Sequence, residues 1–156
     1  MEYVGERFDV PVWPADRKAR ALARALAAEM HAGFQPLRNA CPMNLGKRFP
    51  ARDRGAEVAA NVDRFEAIVR DARRRFGGDG PFLFGGFSAA DAMFAPLVTR
   101  LETYSIDVSP ETRAYKDAIL SLPSFREWRA AALQEPWILA HDEVDEQPIE
   151  VYRQAA

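Results

Sequence analysis

The sequence predicts an all-α chain: a five-helix bundle with two long helices, three shorter ones and a central helix buried among them. Three observations carry this. Apolar residues recur at three-to-four spacing over long stretches, which puts them on one face of a helix. Serine, aspartate or proline opens most of these stretches, and glycine or proline closes them. No stretch shows the apolar–polar alternation of a half-buried strand.

The elements follow in order. Tyr3 to Phe8 reads as the last turns of a helix closed by Asp9-Val10-Pro11, with no start signal ahead of it. Val12-Trp13-Pro14 is extended, because a residue before proline avoids the helical region. Asp16 caps a long helix whose stripe is Leu22, Leu26, Met30, Phe34 and Leu37. Pro36 lies inside that pattern and predicts a kink or break near Ala32–Gly33, before Cys41-Pro42 ends the helix. After the loop 42–50, a second long helix is expected from Ala51 or Arg52 to about Phe76. Val58, Val62, Phe65, Val69, Ala72 and Phe76 form its stripe, and Gly77-Gly78-Asp79-Gly80-Pro81 stops it. A helix from about Pro110 to Leu122 has Ser109 as its cap. Ser124 with Glu127 offers a capping box for a last helix over 125–134. From Asp142 onward the tail is acidic and expected to be loose.

The central helix, Ala89 to Tyr104, begins at the most distinctive stretch. Gly85 and Gly86 allow a tight turn, and Ser88 with Asp91 makes a capping box in which each side chain reaches the other's backbone N–H. Met93, Phe94, Leu97, Leu101 and Tyr104 make this helix apolar, and Pro96 inside it predicts a second kink. Ser88 and Asp91 have no histidine nearby in sequence, so they read as a structural cap rather than part of a catalytic set.

At 156 residues the chain is one domain with room for a core. Hydrophobic residues make up 48% and charged residues 28%, as in an ordinary globular protein. A net charge of −2 argues against a nucleic-acid partner. The single cysteine, Cys41, forbids an intramolecular disulfide and reads as a buried inert thiol. No metal site is expected: Glu29 and His31 are two residues apart and face different ways on a helix. No apolar run approaches a membrane span and no signal segment opens the chain, so a cytoplasmic setting is expected. Arg70, Arg73, Arg74 and Arg75 close a helix, where cations complement its dipole, and read as a solvated helix end.

Several segments together resemble one family. They are Glu29-Met30-His31-Ala32-Gly33-Phe34-Gln35-Pro36-Leu37-Arg38, the glycine turn with Ser88-Ala89-Ala90-Asp91, and Leu120-Ser121-Leu122-Pro123-Ser124 before a tryptophan-containing helix. The chain from Trp13 to about Leu139 resembles the C-terminal helical domain of bacterial cytosolic glutathione transferases, with a zeta-class, maleylacetoacetate isomerase-like flavour. The resemblance implies residues 1–12 as the end of a thioredoxin-like domain and its linker, 13–140 as the helical domain, and 141–156 as an acidic flexible tail. It implies that glutathione is a co-substrate of the whole enzyme, bound by the thioredoxin-like half and not by this chain. No catalytic or cofactor-binding residue, and little or no transferase activity of the chain alone, follows from it. It further implies a homodimer or a thioredoxin-like partner, and a hydrophobic electrophile as second substrate. Met30, Phe34, Met43, Met93 and Tyr104 are the candidates for the wall of that pocket. Arg38, one turn beyond Phe34, is the candidate for meeting an acidic substrate. The same helical domain also serves elsewhere as a non-catalytic interaction or scaffold module, which is the alternative function.

Overall fold

The structure, a computed structural model, describes residues 1–153. Seven α-helices account for most of it: α1 (Glu2–Phe8), α2 (Arg17–Ala32), α3 (Gln35–Ala40), α4 (Ala56–Ala72), α5 (Ala89–Thr103), α6 (Pro110–Ser121) and α7 (Pro123–Leu133). The fold is all-α, and α5 lies at its centre. Ala90, Asp91, Phe94, Leu97 and Val98 of that helix have no solvent contact. Phe65 of α4 meets Phe94 at 5.4 Å between ring centres and Tyr115 of α6 at 6.1 Å, and Phe34 meets Phe94 edge-on at 6.3 Å. These four rings tie α4, α5, α6 and the α2–α3 junction into one core.

The first long helix is broken rather than kinked. Asp16 starts α2 as expected, its carboxylate accepting from the backbone N–H of Lys18 (2.9 Å) and Ala19 (2.8 Å). α2 stops at Ala32, Phe34 adopts a left-handed φ of 60°, and α3 restarts with Pro36 in its first turn. A side chain at Gly33 would put its Cβ 2.8 Å from the Glu29 carbonyl oxygen, so the exit from α2 requires glycine there.

α4 begins at Ala56, several residues later than the periodicity suggests. Asp53 accepts from the Gly55 N–H at 2.8 Å, and Gly55 has φ 91°, so a turn replaces the first expected helical residues. Its end is a π-helical turn over Arg73–Gly77. The arginine run there divides its labour. Arg73 donates to the carbonyls of Gly80, Pro81 and Phe82 and closes the loop, while Arg74 and Arg75 pair with Asp71 at 2.9 Å each.

Two expectations are corrected. α7 starts at Pro123 with Leu122 as its cap residue and no side-chain cap, so the Ser124–Glu127 capping box is not formed. Proline at the first helical position has its φ already set for a helix, and the chain enters one residue before Ser124 could cap it. The acidic tail carries a short strand, which the all-helical expectation does not include. It folds back and pairs β2 (Glu150–Val151) antiparallel with β1 (Lys47–Arg48), a two-stranded ladder that the alternation pattern was too short to reveal. The last residues of that tail, 154–156, lie outside the described residues.

Candidate functional site

The start of α5 is built as the sequence suggested, with more partners than expected. Asp91 is buried. Its Oδ2 accepts from the Ser88 backbone N–H (2.8 Å) and the Ser88 hydroxyl (2.8 Å). Its Oδ1 accepts from the Leu83 N–H (3.1 Å) and the Tyr115 hydroxyl (3.1 Å). The capping box is present. Burial pushes the Asp91 carboxyl above its ordinary range even against these four donors. Tyr115 is pushed up by its own burial and then by the Asp91 charge. The cluster is sealed and fully satisfied by neutral donors, and it serves the fold.

A groove of about 440 Å³ lies between the loop after α3 and the chain that follows α7. The loop after α3 forms one wall through Met43, Leu45 and Lys47. The chain after α7 forms the other, through Trp137, Ile138 and Leu139. Asp142 and Glu143 lie along its rim.

Beside Met43 sits Arg100, near the end of α5. Its Nε donates to the Cys41 carbonyl (2.8 Å), and its Nη1 donates to the Pro96 carbonyl (3.1 Å) and approaches the Met43 sulfur at 3.7 Å. Burial lowers the Arg100 pKa, and the guanidinium of Arg38 presses it down further. Arg38 itself donates to the His31 carbonyl at 3.1 Å. Among the described residues neither arginine has a carboxylate within ion-pair distance, and Asp142 acts on Arg100 only from farther away. Two half-buried guanidiniums therefore lie within electrostatic reach of each other, hydrogen-bonded to carbonyl oxygens that leave their charges uncompensated, and Arg100 reaches the groove through its contact with Met43.

The candidates named from sequence fall into three groups. Met43 lines the groove. Arg38 is not among the lining residues of the groove, though its charge acts on Arg100. Met30, Phe34 and Tyr104 are buried in the core, and Met93 packs against it from a partly buried position. Tyr104 donates to the Pro42 carbonyl at 2.9 Å, stacks on Phe49 at 5.3 Å, and carries the Arg54 guanidinium 4.5 Å above its ring. It supports the loop that bears Met43. Burial pushes the Cys41 thiol up to about 11, so it stays protonated and unreactive at neutral pH. Among the described residues no group of histidine, cysteine and carboxylate side chains is placed to hold a metal.

Residues 55–131 match the family described as glutathione S-transferase, C-terminal domain. The helical fold is of that type. A maleylpyruvate isomerase from a Ralstonia species is 29% identical to this chain, over 87% of this chain and 66% of its own length. A crystal structure of a glutathione transferase homologue from a Burkholderia, strain BGR1, with bound glutathione, superposes with a TM-score of 0.57. It is 28% identical and the match covers 83% of this chain and 62% of that one. This chain thus spans a little under two thirds of the length of these glutathione transferase-like relatives.

Sequence reading missed Arg100, Trp137 and the acidic residues of the rim. Arg100 had a signal: it is the only basic residue in the most apolar helix of the chain. An arginine in such a place asks what it is for. Trp137 and the rim had none, because a loop that folds back over 90 residues leaves no periodic mark.

Proposed function

We propose that this chain forms the second-substrate half of a glutathione-dependent transferase or isomerase whose electrophile carries a carboxylate. The observation that supports this is Arg100, half-buried with no carboxylate in ion-pair distance, in contact with Met43 of a largely apolar groove and within reach of the Arg38 charge. Taking a guanidinium partly out of water without a counter-charge is costly. A ligand carboxylate would recover that cost through a two-pronged, charge-assisted pair. The groove would hold the apolar part of the same molecule. The name of the Ralstonia relative points to an acidic electrophile, maleylpyruvate, which is the kind of substrate such a pair suits.

Glutathione would come from a thioredoxin-like half packed on the N-terminal face. Residues 1–12 then read as the end of that half and its linker, 13–140 as the helical domain, and 141–156 as its tail. That face fits the role. Tyr3, Val4, Phe8, Val10 and Phe87 are all exposed apolar side chains, and Gly5, Trp13 and Phe87 border a hollow of about 670 Å³ there. Exposed apolar surface of this kind recruits partners, so a homodimer or a thioredoxin-like partner is expected. Cytoplasmic placement is part of the same proposal; among the described residues no helix is long and apolar enough to cross a membrane.

Two measurements on the purified chain test this. It should conjugate glutathione to 1-chloro-2,4-dinitrobenzene no faster than the uncatalysed rate. It should also bind an aromatic carboxylate such as cinnamate at least tenfold more tightly than the methyl ester. Conjugation above background would show that the glutathione half is not needed, and equal binding of acid and ester would remove the acidic-substrate assignment.

A further inference from the structure

The wall of the groove formed by residues 134–153 is attached to the body in an unusual way. Its side-chain contacts with the loop 43–54 are largely ionic. Glu143 takes the Lys47 ammonium at 2.5 Å and the Asn44 amide at 3.1 Å. Glu146 takes both prongs of Arg54 at 3.0 and 3.1 Å, with Arg52 at 3.4 Å. Glu150 takes Arg48 at 2.9 Å. Basic residues at 47, 48, 52 and 54 thus face acidic residues at 143, 146 and 150. Backbone bonds run alongside the β1–β2 ladder, from Ile149 N–H to the Arg48 carbonyl and from Tyr152 N–H to the Gly46 carbonyl at 2.8 Å, and from Arg153 N–H to the Gly46 carbonyl at 3.4 Å, and the Arg153 side chain donates to the Ala132 carbonyl at 3.2 Å.

Between this attachment and the end of α7, Trp137, Ile138 and Leu139 line the groove, yet they are 65%, 60% and 54% exposed. Apolar burial holds the segment chiefly through Val144, which packs against the core from a partly buried position. Most of its ion pairs are open to water and contribute little. One is different: the side chains of Arg54 and Glu146 are only 4% and 10% exposed. A segment with few buried apolar contacts and a single strong polar anchor belongs to the low-stability end of a fold, where opening is independent of global unfolding.

We propose that residues 134–153 are a strap that swings away from the loop 43–54 as a unit to admit a ligand to the groove. The Arg54–Glu146 pair is its latch, and the hinge is at Gln134–Glu135, where α7 ends. The proposal rests on the groove being the ligand site. The opening itself is a property of the strap and is measured separately.

Opening is read by amide exchange. In Glu146→Gln, the N–H groups of Ile149 and Tyr152 should exchange at least tenfold faster than in the wild type, while those of Phe94 and Leu97 in α5 do not change. Unchanged exchange at Ile149 and Tyr152, or acceleration of all four together, would overturn the strap. Gating is read by locking it. A Cβ on Gly46 would lie 3.4 Å from the Cβ of Arg153, close to the span of a disulfide, about 3.5–4.5 Å. The double variant Gly46→Cys, Arg153→Cys can therefore be compared with itself, oxidised and reduced. With 1-anilinonaphthalene-8-sulfonate as the probe, stopped-flow association should be at least tenfold slower in the oxidised form. Equal rates in the two forms would overturn the gate. If Leu45→Asp leaves probe binding unchanged, the groove is not the ligand site. The gate then falls with it, even where exchange shows the strap to open.

Discussion

Asp91 in the first turn of α5 and Arg100 in its last turn are both charges on the most buried helix of the molecule, and their surroundings are opposite in kind. Asp91 has four donors and no cation. Both carboxylate oxygens accept two hydrogen bonds, and the donors come from the turn before α5, from its cap and from α6. Arg100 has two carbonyls, a thioether and a second arginine for company. Its charge is solvated in part and answered by no opposite charge. The first arrangement stabilises one fold by satisfying itself. The second leaves a charge uncompensated within the protein, and under the proposed function a ligand carboxylate would answer it. Within one helix, the contrast separates a charge that serves the fold from one proposed as a binding group.

The comparison can be broken at either end. The largest effect is expected from Asp91→Ala. It removes the cap and leaves the Leu83 N–H and the Tyr115 hydroxyl buried without acceptors, so stability should fall by about 3–5 kcal/mol. Denaturant unfolding measures this, and a loss under about 1 kcal/mol would mean that the cluster is dispensable. Arg100→Leu should do the reverse. Its effect on stability should be small, because the guanidinium is itself held at a cost. Affinity for an aromatic carboxylate should drop about 10–100-fold, the range for a charge-assisted hydrogen bond. Calorimetric titration separates the two outcomes, and a large stability loss with unchanged affinity would make Arg100 a structural residue.

Tyr115→Phe should cost about 1 kcal/mol by thermal or denaturant unfolding, since Asp91 keeps three of its four donors. A pH series sharpens the Asp91 side further. The fold raises its pKa, so its contribution is fully present below the unfolded value of about 3.9 and is lost as pH rises through the folded one. Asp91→Asn lacks that titration. The stability of the wild type relative to Asp91→Asn should therefore decrease as pH rises above about 4. A difference that grows with pH instead would mean that the four donors outweigh burial. The smallest effect is expected from Arg74→Ala, whose partner Asp71 is on the surface; its melting temperature should match the wild type.

Much of the fold is legible in the sequence because helices announce themselves locally. The stripe Val58, Val62, Phe65, Val69 and Ala72 is the buried face of α4, and Ser88 with Asp91 marks the first turn of α5 to the residue. Pro36 announced a kink or break at that point, but not which of the two, nor that Phe34 would turn left-handed to make it. The site was less legible, for a physical reason. Apolar residues at helical spacing are equally suited to a core and to a pocket wall, and the surroundings decide. Met30, Phe34 and Tyr104 went to the core. Met43, in a loop with no periodicity of its own, went to the groove. The far wall comes from the tail, whose acidic residues looked like solvated charge until the basic residues at 47–54 were brought opposite them. Pairings between positions 96 and 102 residues apart cannot be seen in any local window.

The central claim is that Arg38 and Arg100 wait for an anion. The most direct measurement titrates cinnamate and methyl cinnamate into the wild type, Arg38→Leu, Arg100→Leu and the double variant. The acid should bind the wild type at least tenfold more tightly than the ester. Each single variant should lose most of that preference, and the double variant should lose little more than either, because one carboxylate bridges both groups. An acid–ester preference that survives in the double variant, or is absent from the wild type, would contradict the claim.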